Sequence, residues 1–148
     1  MNKSTGALGG VALLLFALLI AGCGSSSDEA LSKSEFLKQG NAICAKNAKA
    51  REEAIVEVIK THDPNASIKE NREEAVQKIL PIYEDTAEQI ADLGAPKGDE
   101  AKVEALAEAM EEAATKLHAN PGSAFSQNTP FVKPNKMAES YGLDACKA

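Results

Sequence analysis

The chain contains no tryptophan, and only two tyrosines and four phenylalanines among its 148 residues. A core drawn from such a composition is thin and must close by tight packing of alanine and aliphatic side chains. Histidine is nearly absent, with His62 and His118 alone, and the three cysteines form no Cys-x-x-Cys or Cys-x-x-Cys-His pattern. That excludes zinc ribbons, thioredoxin-type chemistry and covalently attached haem. No glycine-rich phosphate loop and no nucleophile elbow occur, so nucleotide chemistry and serine hydrolysis lose their usual marks. Positive charge is in deficit, 16 basic against 22 acidic residues for a formal charge of -6. Such a surface is repelled by phosphate backbones, and nucleic acid is not an expected partner. No apolar run reaches the roughly 20 residues that cross a hydrocarbon core.

What is present begins with Lys3 and an apolar stretch from Ala7 to Leu19, the shape of a secretory signal peptide. Its end, Ile20-Ala21-Gly22-Cys23, resembles the lipobox of bacterial lipoproteins, an aliphatic residue and two small ones before a cysteine. The resemblance implies diacylglycerol transfer to Cys23 and cleavage before it. Residues 1–22 are then a signal peptide, 23–31 a lipidated cysteine with a flexible spacer rich in serine, and 32–148 the folded domain. Each buried methylene contributes ~0.8 kcal/mol, so two acyl chains anchor stably where one does not. The expected location is the outer, extracytoplasmic face of the cell membrane. A single transmembrane helix is the competing reading, weakened by Gly9, Gly10 and Gly22.

Removal of residues 1–22 leaves 126 residues with 15 basic and 22 acidic side chains, a formal charge of -7, and a length suited to one domain. With Cys23 assigned to lipid, Cys44 and Cys146 remain as a pair on the oxidising side of the membrane. A bridge closing a loop of about a hundred residues contributes up to ~4.7 kcal/mol in the chain-entropy account.

The pattern of the domain is helical. Ser32 with Glu35 predicts a capping box and a first helix from Lys33 to about His62, its apolar face formed by Leu37, Cys44, Ala48, Ile55, Val58 and Ile59. Ser67 with Glu70 repeats the cap, and Arg72, Val76, Ile79, Tyr83, Thr86, Ile90 and Leu93 recur at alternating four and three spacing. Pro81 lies inside that seam, where a kink is expected, and Gly94 and Pro96 end it. Asp99 is the expected cap of a third helix carrying Val103, Leu106, Met110, Ala113 and Leu117 on one face. Asn120-Pro121-Gly122 stops it, and a short fourth helix opens at Thr129-Pro130 or Lys133-Pro134 and closes at Tyr141-Gly142. The expected fold is all-α, an up-down-up three-helix bundle whose short fourth helix returns to helix 1 through the disulfide.

Leu31-Ser32-Lys33-Ser34-Glu35-Phe36, Ala42-Ile43-Cys44, Leu93-Gly94-Ala95-Pro96 and the Tyr141-Gly142-Leu143 stretch with Cys146, together with the lipobox, resemble small helical lipoproteins of actinobacteria. The resemblance implies an extracytoplasmic bundle and carries over no catalytic residue.

Three sets of residues remain as candidates for chemistry. His62, Asp63 and His118 fall at one end of the predicted bundle if helices 1 and 3 are parallel, and two imidazoles with a carboxylate suit zinc or copper. Against this, a histidine at a helix end is ordinarily there to complement the dipole. Phe125, Phe131 and Tyr141 either cover the bundle seam or frame an apolar pocket. Met110, on the core stripe of helix 3, reads as filler. The paired acids Glu52-Glu53, Glu73-Glu74 and Glu111-Glu112 read as solvated faces, because catalytic carboxylates need environments that drive their pKa values apart. The expected function is a non-enzymatic binding module, tethered by lipid, for another protein or an envelope component. A carrier of a small apolar ligand or metal ion is the alternative and a hydrolase a remote one; no cofactor is implied.

Overall fold

The computed structural model describes residues 30–147. The signal-peptide and lipobox readings, Cys23 included, lie outside the described residues. Four helices follow one another, α1 (Lys33–Thr61), α2 (Ile68–Asp92), α3 (Glu100–Ala119) and α4 (Val132–Tyr141), with 3-10 turns at Pro121–Phe125 and Asp144–Cys146. There is no strand among the described residues.

Local chemistry sets the boundaries. Both capping boxes form in full: Ser32 and Ser67 accept from the amides of Glu35 and Glu70, whose carboxylates accept the serine amides in return. These satisfy amides that a helix start leaves without partners. α2 is continuous across Pro81, which is exposed. α4 ends at Gly142, whose φ of 101° lets its amide and that of Leu143 turn back to the Ala138 carbonyl. The connection after Pro121 is more ordered than the sequence suggested, since residues 121–125 wind into a 3-10 turn.

Asp99 occupies the cap position of α3 but its carboxylate makes no cap bond, a correction to the sequence reading. It is drawn away by stronger partners, the ammonium groups of Lys102 and of Lys33, the latter at 3.1 Å, and the Tyr141 hydroxyl at 3.1 Å. Charged donors outbid a neutral amide for a carboxylate.

The helices form an all-α bundle with α2 between α1 and α3. No Cα of α1 lies within 8 Å of one in α3 or α4. The ring is closed instead by the polypeptide after α3: α4 packs on α3, and the turn Asp144–Cys146 packs on both α4 and α1. The disulfide Cys44–Cys146 locks that closure, with the two Cα atoms 4.8 Å apart. Beside it Asn41 donates to the Gly142 carbonyl at 3.0 Å and accepts the Ala145 amide at 2.8 Å. Gly40 faces Leu143 there; a Cβ at Gly40 would lie 2.7 Å from a Leu143 methyl, so the close approach depends on glycine.

Two cores result. The first, near the start of α1, joins Phe36 and Cys44 to Ala87, Ile90, Val103, Leu106, Met110, Ala138 and Leu143. The second joins Val76, Leu80, Ala113, Ala114, Leu117 and Phe131, with no residue of α1. Here the structure departs from the predicted apolar face: Ile55 and Ile59 stand 40% and 62% exposed, and Val58 alone of that trio is buried.

Candidate functional site

The unburied isoleucines define the site. The last two turns of α1 and the first two of α2 lie side by side around the bend at His62 to Ser67. Between them is an open groove of about 410 Å³ lined by Ile55, Val58 and Ile59 from α1, Ile68, Asn71, Arg72 and Ala75 from α2, His62 at the bend and Phe125 from the 3-10 turn. Ile68 is 73% and Phe125 55% exposed. Among the described residues no carboxylate lines this groove, although acids outnumber bases in the chain.

Its polar groups are few and cationic or neutral. The Arg72 guanidinium lies over the Phe125 ring at 4.9 Å. This contact fixes the ring at the groove wall and holds the charge at its edge. His62 is tied to its own helix end, Nδ1 being 2.7 Å from the Ile59 carbonyl oxygen. A second arginine, Arg51, lies over Tyr83 at 4.5 Å. These are the only two arginines of the chain. Neither forms an ion pair among the described residues, whereas lysines from all four helices do. The arrangement can bind apolar surface and an anionic group beside it.

The residues singled out from the sequence fall in different places. Phe125 lines the groove. Phe131 does not: it is buried, stacked on Tyr83 at 4.1 Å between centroids. Tyr141 lies at the opposite end, edge-on to Phe36 at 5.8 Å, beneath the Lys33 ammonium. The three aromatics therefore frame no common pocket. His62, Asp63 and His118 are not assembled into a ligand set, since no group of three metal-ligating side chains converges among the described residues; Asp63 instead accepts the Asn65 amide at 2.8 Å. Cys44 and Cys146 form the disulfide. Ile68 was missed altogether, and Ile55, Ile59 and Arg72 were assigned to packed seams. The available signal was the arginine itself: two guanidiniums among fourteen lysines mark positions where a planar, stackable cation is used.

The cluster at Tyr141 gives a checkable electrostatic signature. The lysine ammonium groups, Lys102 before Lys33, hold the Asp99 carboxyl down at about 2. Burial first, and then the hydrogen bond to Asp99 and its charge, push Tyr141 up to about 12. Burial also raises Tyr83. A tyrosine whose folded pKa exceeds its unfolded value stabilises the fold fully below about pH 10, and that contribution is lost as pH rises through about 12. In an ultraviolet tyrosinate titration of the native protein, Tyr141 should ionise with a midpoint of about 12 and Tyr83 above its ordinary value, and Asp99→Asn should bring Tyr141 part of the way back. A native midpoint at the ordinary value would contradict the arrangement.

Comparison with protein-family models, curated proteins and solved structures finds no match to the chain.

Proposed function

We propose that the protein is a membrane-anchored extracytoplasmic lipoprotein whose helical domain is a non-enzymatic binding module for another protein or an envelope component. The observation that carries the binding part is the open apolar groove between α1 and α2, with Phe125 at its wall and an arginine that has no carboxylate partner among the described residues. Isoleucines left exposed together at one site mark an interaction surface, where singly scattered ones would not. The anchor rests on the sequence ending in Cys23. A lipid there joins the domain at the first turn of α1, roughly 35 Å from Ile55 and Ile59 at 1.5 Å per helical residue.

Metabolic labelling with an alkynyl fatty acid tests the anchor. The wild-type chain should take up label and sediment with membranes, and Cys23→Ala should do neither; an unlabelled wild-type chain sinks the proposal. The volume of the groove also favours a second reading, a carrier of a small apolar ligand, since sites of a few hundred Å³ suit such molecules. Native mass spectrometry of protein extracted gently from its own membranes separates the two. Extra mass that leaves on denaturation supports the carrier, and a bare lipidated chain supports the protein-binding module.

A further inference from the structure

Resting on the reading of the domain as a binding module, we infer that the groove receives an amphipathic helix of a partner protein, apolar along one stripe and carrying carboxylates beside it. That helix takes the fourth position of the bundle where α4 does not reach.

The vacancy follows from the ring of elements. α4 stands in the fourth position, packed on α3 and joined to α1 through the turn at Cys146. It has ten residues against 29 in α1. It enters at the level where Lys133 meets Glu112 and Phe131 meets Tyr83, and it leaves at Asp99, where α3 begins. α4 thus runs beside the first core and reaches the second only with its entry, at Phe131 and Lys133. Alongside the second core, among the described residues, α1 touches no helix but α2, and contributes nothing to that core. The 3-10 turn carrying Phe125 packs on α2 and α3, so the groove that Phe125 lines opens toward the unfilled side of the bundle.

Shape and charge specify the occupant. The groove has a wall of about two helical turns on each side, Ile55 to His62 and Ile68 to Ala75. An apolar stripe repeating every three to four residues along another helix matches these ridges, the arrangement by which amphipathic helices dock into grooves between helices. Its open form suits a helix that keeps one face in water. Arg72 stands at the edge with its guanidinium over Phe125 and, among the described residues, no carboxylate in the groove opposite it. Arg51, held on Tyr83, offers a second such cation farther along α1. Against a chain of net negative charge, these two are placed to receive acids from outside.

The test is photocrosslinking of the full-length lipidated protein in its own cells, with Ile59→p-benzoylphenylalanine as probe and sequencing of the cross-linked peptide. Ile59 is 62% exposed, so the probe is accommodated without disturbing the fold, and an unchanged circular dichroism spectrum verifies this. The expected adduct is one segment of another protein with apolar residues at three- and four-residue spacing and Asp or Glu flanking them. Arg72→Glu in the same background should reduce its yield on the order of fivefold. A probe at Glu53, on the outer face of α1, should give no such adduct. Crosslinks to a second copy of this chain, to lipid alone, or to nothing overturn the inference, as does a yield indifferent to Arg72→Glu. Loss of fatty-acid label would refute the anchor and leave this contact standing; a labelled protein without the adduct refutes the contact alone.

Discussion

Phe36→Ala is expected to destabilise the domain by about 3–5 kcal/mol, the usual range for deleting a fully buried aromatic ring. Phe36 has no exposed surface and sits in the first turn of α1, against Tyr141 and within the core that also holds Ile90, Leu106 and Leu143. Two features place the loss toward the upper part of the range. The core around it includes Ala87 and Ala138, which have no side-chain length with which to move into the space, and Leu143 is already pressed against Gly40. The ring is also a point where α1, α4 and the chain after Gly142 meet, so collapse there would have to move three segments together. Urea unfolding should show the fall in midpoint with an unchanged slope, because the surface exposed on unfolding is nearly the same. A loss below about 1 kcal/mol would mean that the site closes over the cavity.

Removing the disulfide by Cys44→Ala with Cys146→Ala is expected to cost about 2–5 kcal/mol. The bridge spans 102 residues, so most of the unfolded chain is constrained by it. In the native state it holds the turn Asp144–Cys146 against α1, and that turn closes the ring of helices. What remains without it is Leu143 over Gly40 and the two hydrogen bonds of Asn41 to Gly142 and Ala145. The wild-type protein in dithiothreitol should unfold at the same denaturant concentration as the double mutant. Amides of Ala138 to Leu143 should lose exchange protection before those of α2 and α3. Equal midpoints for oxidised and reduced protein would show that the contacts around Leu143 suffice.

Helix positions and their ends were legible in the sequence because they depend on neighbours a few residues away. The two Ser-x-x-Glu caps, Gly94 with Pro96 and Tyr141-Gly142 each act locally, and each stands where expected. The disulfide was legible by counting once Cys23 was set aside. The faces of α1 were not. Periodicity ranks Ile55 and Ile59 with Leu37 and Cys44 as one stripe, yet burial needs an opposing element, and whether one exists beside the second half of α1 is decided by how far α4 extends. Asp99 failed for a similar reason. Of its competitors only Lys102 is local, whereas Lys33 and Tyr141 are distant in sequence, and no local rule weighs them against the helix amides. Phe125, Phe131 and Tyr141 looked alike as residues of one aromatic segment, but the bend before Val132 sends them to three different environments.

The seating of Leu143 over Gly40 has a consequence for the order in which the molecule is made. Phe36, Gly40 and Cys44 emerge from the ribosome about a hundred residues before Leu143 and Cys146. At 5–20 residues per second they wait roughly 5–20 seconds for the groups that cover them. Until those groups are available, Phe36 and Gly40 have no Leu143 to cover them and Cys44 has no disulfide partner. The first core therefore closes only when nearly the whole length is available, and a chain interrupted anywhere before Leu143 can complete neither that core nor the bridge.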